Sequence, residues 1–315
     1  MTPALTVLFT SVGRRVELIR HFLDHASANP GDLRVLGTEI DRFSPAAQLL
    51  GDAALGVPRT EDPSYDRVIA DICSENNVDV IFPLIDPDIL RLGTTETSAP
   101  LASVDPESAR MVSDKWLTYR WLVDRDIPTA ISWLPSELVD TGYPLFMKPR
   151  RGSGGIDAFK IHSTVELDFF TTYIDDPIVQ ELLEGPEITV DVIVGARSEI
   201  LAMVQRQRLA VRGGEVSRGA VVEDPAVSAL VYQVIEGLKP TGPVTVQGMY
   251  ARDKSFRITE INARMGGGIP LAVAAGVPVA RLLTDSWLGR ERTEETAIDV
   301  GLHMVRFDES LFYKP

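Results

Sequence analysis

Four polar side chains on two neighbouring strand-like segments have the types and spacing of a metal and phosphate site. Glu260, Asn262 and Arg264 are two residues apart, so on a β-strand their side chains leave the same face. Gln247 lies thirteen residues before Glu260 in another strand-like run, and residues 251–255 between the runs are typical of a hairpin turn. The hairpin would bring one carboxylate and two amide oxygens together, and Mg²⁺ prefers such hard oxygen ligands. Arg264 adds a planar fork for a phosphate or a carboxylate.

A strand, a glycine-rich loop and a second strand follow one another over residues 143–161. The first strand carries Lys148, and the loop at residues 150–155 reads Arg-Arg-Gly-Ser-Gly-Gly. The Gly-Lys-Ser/Thr entry into a helix that defines a P-loop is missing. Because glycine permits positive φ and close approach, the loop predicts a flap whose backbone N–H groups close over phosphates. A plain glycine hairpin is the alternative, and the adjacent Lys148 and Arg150 favour the flap.

Residues 178–194 contain two extended pieces joined by a turn at residues 184–186. Backbone groups beside Glu181 could pair with the edge of an adenine ring, and Glu187 could accept hydrogen bonds from ribose hydroxyls. Exposed glutamates in an ordinary turn are the alternative interpretation of this segment.

Arginines recur along the strand-like run at residues 200–212. Arg206 and Arg208 share a strand face, and Arg218 follows the turn at residues 213–214. A solvated basic strand edge is the alternative. In a chain of net charge −14, however, a local group of arginines favours a surface that meets an anion.

The N-terminal part of the chain alternates strands with helices. Strands are predicted at residues 5–10, 33–38 and 78–83, and helices at residues 13–28 and 65–76. This order indicates parallel pairing in an open α/β sheet, whose ligands bind at the carboxyl ends of the strands.

Those carboxyl ends carry short polar turns. The turn at residues 11–13 lacks the full Gly-x-Gly-x-x-Gly dinucleotide fingerprint, so a plain strand-to-helix turn is the first interpretation. The alternative is a turn that lines a substrate pocket, with Arg14 or Arg15 as an anion contact. Asp41 and Asp86 are expected to be helix caps or turn residues rather than ligand contacts.

A helix is predicted at residues 108–124, with five apolar side chains as its core-facing set: Met111, Trp116, Leu117, Trp121 and Leu122. A domain boundary is expected near residue 112.

Composition excludes several functional classes. The 315 residues are 44% hydrophobic and 24% charged, which is ordinary for a globular protein, and the net charge of −14 argues against nucleic acid as a partner. The single cysteine, Cys73, is expected to be a buried apolar residue in a reducing compartment. Neither a membrane-spanning run nor a signal-peptide pattern is evident. We therefore expect a cytoplasmic protein without a membrane partner, and a homodimer is the default assembly.

Together these motifs resemble the ATP-grasp superfamily, and most closely its carbamoyl-phosphate-synthase-like branch, over roughly residues 5–290. The segments that carry the resemblance are residues 247–278, 144–155, 179–191 and 113–115. A glutamine at residue 247 departs from many members of the superfamily, which have a carboxylate at the first metal position.

The resemblance implies an α/β fold. An open parallel-sheet domain, the pre-ATP-grasp domain, would occupy residues 1–112. A two-lobed α+β ATP-grasp module would follow, with a central or lid subdomain at residues 113–183 and a C-terminal subdomain with the metal site at residues 184–315.

The resemblance also implies a site for ATP and Mg²⁺, with two ions expected and Mn²⁺ as an alternative. The implied nucleotide contacts are Lys115 and Lys148 to the α/β phosphates, Gly152, Ser153, Gly154 and Gly155 to the triphosphate, the backbone of Glu181 and Leu183 to adenine, and Glu187 to ribose. The implied metal ligands are Gln247, Glu260 and Asn262. The implied catalytic residues, which would meet the transferred phosphate or the substrate carboxylate, are Arg264, Arg206, Arg208 and Arg218.

The activity that the resemblance implies is an ATP-dependent carboxylate–amine ligase. A small-molecule carboxylate would attack the γ-phosphorus of ATP, and an amine would displace phosphate from the acyl phosphate. One alternative is phosphorylation of a small carboxylate in the manner of carbamoyl phosphate synthase. A second alternative is a non-catalytic ATP-binding module, and a third is a Rossmann dehydrogenase, suggested only by the turn at Gly13.

Overall fold

The strands of the chain form three separate sheets. The computed structural model describes residues 4–139, 141–152, 154–291 and 296–313. Within those residues the strands divide into a four-stranded parallel sheet, a four-stranded antiparallel sheet and a six-stranded antiparallel sheet.

The first sheet is parallel, as the alternation of strands and helices predicted. Its strands are Leu5–Thr10 (β1), Leu33–Glu39 (β2), Ala54–Gly56 (β3) and Val80–Pro83 (β4), in the order β3-β2-β1-β4. The helices of this unit are Val16–Ala28 (α1), Pro45–Leu50 (α2), Tyr65–Asn76 (α3) and Asp86–Leu92 (α4). Helix α1 begins at residue 16 rather than 13, because Ser11 and Gly13 have φ angles of 55° and 44° that a right-handed helix does not use.

Strand β1 is buried on both faces, which explains its uninterrupted apolar run. Val7 and Phe9 lie in one core that includes helix α1 and extends to the C-terminal helices. Leu8, with the opposite orientation, lies in a second core with Tyr65 and Ile69 of α3. Alternate side chains of β1 therefore contribute to the cores on the two faces of this sheet.

The predicted helix at residues 108–124 is two helices, Pro106–Val112 (α5) and Lys115–Val123 (α6). Ser113 follows the last residue of the first helix, and Asp114 caps the second, since its carboxylate accepts from two backbone N–H groups of the following turn. The apolar stripe is only partly core: Leu122 is fully buried, but Leu117 is 42% exposed. The break falls at the expected boundary near residue 112.

The second sheet has the order β5-β8-β6-β7 and carries the glycine-rich loop. Its elements are Ser132–Trp133 (β5), Leu145–Pro149 (β6), Phe159–Ile161 (β7), Thr164–Tyr173 (α7) and Pro177–Glu181 (β8). Leu167 and Phe170 of α7 pack on Leu145 and Met147 of β6, so a small core of its own supports this lobe.

The third sheet is the largest and has the order β13-β12-β9-β10-β11-β14. Its strands are Glu187–Val194 (β9), Ile200–Arg212 (β10), Glu215–Val222 (β11), Val244–Tyr250 (β12), Phe256–Asn262 (β13) and His303–Val305 (β14). Its helices are Pro225–Leu238 (α8), Ile269–Ala274 (α9) and Val279–Trp287 (α10). Apolar residues of α8 pack against β9 and β12, whereas α9 and α10 share a core with the N-terminal sheet.

The fold is therefore α/β, with an open parallel sheet followed by a two-lobed module of antiparallel sheets, as expected. The division at residues 112 and 183 remains a proposal, which the strands support because each sheet is confined to one of the three ranges. Among the described residues, no helix has both the length and the apolar character needed to cross a membrane.

The packing of α8 on the large sheet predicts a stability difference between two neighbours on that helix. Ile235 is 3% exposed and Tyr232 is 52% exposed. We expect Ile235→Ala to lower the free energy of unfolding by about 2–5 kcal/mol, because it removes core volume, and Tyr232→Ala to change it by about 0.5 kcal/mol or less. Urea denaturation followed by tryptophan fluorescence measures both. Equal midpoints for the two variants would contradict the packing of this helix.

Candidate active site

All three sheets contribute to one cavity of about 1140 Å³. The N-terminal unit supplies Arg15 and the segment at residues 84–87, the small sheet supplies β6 and the glycine-rich loop, and the large sheet supplies its central strands. Every predicted site residue that the structure describes lines this cavity, except Arg218. Ser153 lies outside the described residues.

The predicted hairpin of metal ligands is present. Gln247 of β12 pairs directly with Glu260 of β13, and the next position on that face is the pair Thr245 and Asn262. The side chains of Gln247 and Glu260 form no hydrogen bond with any other described residue, so their oxygens remain available. One carboxylate and two amides suit a hard cation that keeps water and phosphate oxygens as further ligands.

The described residues contain no group of three or more His, Cys, Asp or Glu side chains that could hold a metal alone. Gln247, Glu260 and Asn262 offer fewer oxygens than the octahedral set of Mg²⁺, so water or phosphate oxygens would complete it.

A carboxylate of the N-terminal unit positions Arg264. Asp86, the first residue of α4, accepts from Nε and Nη2 of Arg264 at 2.8 Å each, and Nη2 also donates to Oδ1 of Asn262 at 3.2 Å. Burial by itself lowers the pKa of Arg264, but the bond to Asp86 leaves the net shift upward. Asp86 was expected to cap a helix or form a turn; it instead fixes the guanidinium beside the metal ligands.

Lys148 is a cation without an anionic partner. Its ammonium lies 5.8 Å from the centre of the Phe146 ring and forms no hydrogen bond or ion pair within the described part of the chain. Burial in the cavity lowers the pKa of Lys148 to about 8, although Glu260 and Glu187 pull in the opposite direction. An anion placed here would be met by a poorly solvated charge.

Lys115 binds the backbone of the glycine-rich loop. Lys115 donates from Nζ to the Gly152 carbonyl at 2.9 Å, and its backbone N–H donates to the Arg150 carbonyl at 3.0 Å. Gly154 and Gly155 have φ angles of 73° and 70°, which only glycine adopts at little cost. The loop therefore needs glycine at residues 154 and 155, and Lys115 holds its first part in place.

The loop also touches the large sheet. A Cβ on Gly214, in the turn between β10 and β11, would lie 2.8 Å from the Cα of Gly154. The two glycine turns approach backbone to backbone, which covers the phosphate end of the cavity from both sides.

The hinge between the lobes is where the sequence placed an adenine site. Glu181 ends β8, but its backbone N–H is donated to the Ile131 carbonyl at 2.9 Å, so only its own carbonyl remains for a base. Its side chain accepts from the Ile131 N–H at 2.8 Å and from Arg257. Leu183 lines the cavity three residues before the turn at Pro186.

The arginines of β10 have unexpected partners. Arg206 is 2% exposed and grips Asp191, also buried, with two nitrogens, one of them at 2.9 Å. Arg208 donates from Nη1 to Glu187 at 2.5 Å and from Nη2 to the Gly214 carbonyl at 3.1 Å. Both nonetheless line the cavity. Glu187, predicted to bind ribose, is thus already held by an arginine.

The structure does not bring Arg218 together with the other two arginines. Its side chain is exposed and lies outside the cavity lining. Arg206 and Arg208 pair with Val221 and Gly219 of β11, so Arg218, one residue from Gly219, points to the opposite face of the sheet.

Sequence reasoning left Arg15 as an alternative and gave no role to Glu215, yet both line the cavity. The available signal was the position of Arg15 after the first parallel strand, at the edge where such sheets bind ligands. Glu215 carried no signal, because its place depends on how the large sheet meets the N-terminal unit.

Two family models match separate parts of the chain. Residues 174–309 match a family model described as "ATP-grasp in the biosynthetic pathway with Ter operon", and residues 7–104 match the "PylC-like, N-terminal domain". The chain carries an ATP-grasp domain. The ATP-grasp resemblance drawn from the motifs is thereby confirmed.

Among curated proteins, the arginine-specific large chain of carbamoyl phosphate synthase from Geobacillus stearothermophilus is 21% identical over 224 residues, or 63% of this chain. The matched region is only 21% of that relative's length.

Two solved structures share the fold of the ATP-grasp protein. N5-carboxyaminoimidazole synthetase from Staphylococcus aureus, complexed with ADP, has a TM-score of 0.77 at 13% identity and covers 98% of this chain and 83% of its own. The biotin carboxylase domain dimer of 2-oxoglutarate carboxylase from Hydrogenobacter thermophilus, in complex with MgADP, ADP and bicarbonate, has a TM-score of 0.74 at 15% identity, covering 95% and 73%.

The buried pair of Arg206 and Asp191 predicts a large loss of stability when one charge is removed. We expect Asp191→Asn to lower the free energy of unfolding by about 3–5 kcal/mol, because the guanidinium stays buried without a counter-charge. The matched control is Asp308→Asn, which breaks an ion pair with Arg212 in which both side chains are at least 71% exposed. That control should cost about 1 kcal/mol or less. Chemical denaturation of both variants tests the difference, and equal losses would contradict it.

Proposed function

We propose that this ATP-grasp protein is an ATP-dependent carboxylate–amine ligase that works through an acyl phosphate. One observation carries the proposal: a single cavity combines a phosphate-binding end, made of Lys115, Lys148 and the glycine-rich loop, with the oxygen ligands of β12 and β13. Arg264 stands beside those ligands. These groups serve transfer of a phosphoryl group, and no covalent catalyst is needed beside them.

The nucleotide would lie between the two antiparallel sheets. Lys148 and Lys115 would meet the phosphates, Gly152 to Gly155 would cover them, and the hinge would hold adenine through the carbonyl of Glu181 and the backbone of Leu183. Glu187 would bind ribose while Arg208 keeps its carboxylate in place. ADP in the solved structures of similar fold supports a nucleotide in this cavity.

Gln247, Glu260 and Asn262 would hold Mg²⁺, which neutralises phosphate charge when bound. Manganese has the same ligand preferences. The MgADP in one structure of similar fold supports this choice of metal, and the number of ions is part of the proposal.

The chain's own residues would position two reacting partners. A carboxylate oxygen forms a bond to the γ-phosphorus as the bond to the bridging oxygen of ADP breaks, and Arg264 faces the transferred group. The amine nitrogen then bonds to the acyl carbon, phosphate leaves with the acyl oxygen, and the amine gives up a proton. The closed glycine turns at residues 154 and 214 would keep water from the acyl phosphate.

A second candidate is phosphorylation of bicarbonate or another small carboxylate without a larger acid. Two findings favour it: the similarity to a carbamoyl phosphate synthase chain, and the bicarbonate bound in a structure of the same fold. It predicts ADP release with bicarbonate as the only added acid.

The test is release of ADP from Mg²⁺-ATP against a panel of carboxylic acids combined with amines. We expect turnover that needs both partners, and we expect Glu260→Gln to lower it by roughly 100-fold or more, since a metal carboxylate is lost. Glu236→Gln, an exposed change on α8, is the matched control and should keep full activity.

The outcomes separate the candidates. Turnover with bicarbonate alone would replace the ligase by the second candidate. Binding of Mg²⁺-ATP without turnover on any combination would favour a non-catalytic module, and failure to bind Mg²⁺-ATP at all would remove the basis of both candidates.

The lowered pKa of Lys148 predicts proton uptake when nucleotide binds. With a pKa of about 8 in the free protein, half of the ammonium is deprotonated at pH 8, and phosphates favour the charged form. We therefore expect a fraction of a proton to be taken up near pH 8, and the affinity for ATP to fall as pH rises above that value. Isothermal titration calorimetry in two buffers of different ionisation enthalpy measures the uptake.

Lys148→Arg is the control, because a guanidinium stays charged through this range. The variant should bind ATP with no proton uptake that depends on this residue and with a flatter pH profile. Uptake that persists unchanged in the variant would assign it to another group.

A further inference from the structure

Arg15 lines the cavity on the side formed by the N-terminal unit. It directly precedes helix α1 and forms part of the cavity wall, with its side chain only 20% exposed. Its location is the carboxyl end of β1, in the middle of the parallel sheet, where α/β folds bind ligands.

Arg15 differs from the other arginines of the wall because none of its N–H groups donates a hydrogen bond to a described residue. Arg151 donates to Asp114, Arg206 to Asp191, Arg208 to Glu187, and Arg264 to Asp86. Among the described residues, Arg15 donates no hydrogen bond at all. A guanidinium has five N–H donors, and leaving them all unmet in a partly buried place is costly unless water or a ligand accepts them.

The nearest carboxylate does not satisfy it. Oε1 of Glu215 is 3.5 Å from Nη1 of Arg15, an ion pair without a hydrogen bond, and Oε2 is equally far from Arg306. Both side chains pack on Gly267, where a Cβ would lie 1.8 Å from Oε2 of Glu215 and 2.6 Å from Nη1 of Arg15. Glu215 therefore reaches one nitrogen of Arg15 and leaves its other donors open to the cavity.

A carboxylate suits the open donors of Arg15. A guanidinium presents its N–H groups as a planar fork, and a carboxylate can accept two of them side by side. Burial is the main cause that lowers the pKa of Arg15, so a bound anion would also stabilise a poorly solvated charge.

We propose that Arg15 binds a carboxylate of the substrate that does not itself react, so that the enzyme selects substrates with a second anionic group. The inference rests on the proposed ligase function. The reacting carboxyl group would lie at Arg264 and the metal ligands, and Arg15 would hold the far end against the N-terminal unit. The extra carboxylate belongs either to the acid or to the amine substrate.

The experiment compares matched substrates in the ADP-release assay. Glutarate against pentanoate and succinate against butyrate test the acid; alanine against ethylamine tests the amine. We expect the member with the extra carboxylate to have a kcat/KM at least about 10-fold higher in one of the two arms, the value of a charged hydrogen-bonded contact. Equal kcat/KM within every pair would overturn the proposal.

Variants of Arg15 test whether this side chain causes the preference for a second carboxylate. Arg15→Gln should raise KM for the preferred member by about 10-fold or more, with little change in kcat, and leave its partner unaffected. Arg15→Lys should restore part of the preference, and Arg14→Gln, an exposed neighbour outside the cavity lining, should match the wild type. Unchanged affinity for Mg²⁺-ATP shows that each variant is folded. An equal loss for both members of a pair would mean a structural role and overturn the proposal.

Direct binding separates this inference from the ligase function. Glutarate and alanine are titrated calorimetrically into the protein with Mg²⁺ and a non-hydrolysable ATP analogue. If no acid supports turnover but one probe binds to the wild type and not to Arg15→Gln, the ligase proposal fails and the carboxylate site stands. If neither probe binds to the wild type, or both proteins bind equally, the carboxylate site is wrong.

Discussion

Positive charge must stay available at an anion site in a chain whose net charge is −14. Any mobile acidic side chain could neutralise the cavity, and burial penalises each unpaired cation. The structure meets both demands by giving most cavity arginines one fixed carboxylate. Asp86 and Asp191 each hold a guanidinium with two bonds, so the pairs are rigid and their remaining N–H groups keep one orientation. Among the described residues, Lys148 has no such partner, and burial of its ammonium lowers its pKa.

These pairs also connect the three sheets. Arg264 of the large-sheet lobe is bound to Asp86 of the N-terminal unit, and Arg208 links Glu187 to the turn that meets the glycine-rich loop. A displacement of Glu187 would therefore be transmitted through Arg208 to the turn at Gly214, which touches Gly154. The Arg264–Asp86 contact is short in space but spans 178 positions of the sequence.

That sequence distance explains what could be predicted. Local spacing was enough to predict the Gln247–Glu260 hairpin and the position of Lys148 before the glycine-rich loop. Strand alternation and a short turn decide which of these side chains converge. Arg218 lies apart from Arg206 and Arg208 because the register of β11 against β10 decides which residues share their face, and sequence alternation within one strand does not give that register. The helix expected at residues 108–124 was divided because the Asp114 carboxylate satisfies a new helix start.

The carboxylate partners of the arginines could not be predicted from local spacing. Nothing local to Asp86 distinguishes a carboxylate that caps a helix from one that binds an arginine on another sheet, and the first turn of α4 suits both. The choice is made by the packing of α9 and α10 on the core they share with β1, which fixes the N-terminal unit against the large-sheet lobe. The same packing leaves Arg15 facing the cavity with its donors unmet. The side chains that tell one substrate from another would then be those whose positions depend on contacts between units, whereas the side chains that handle phosphate follow from spacing within a single strand or loop.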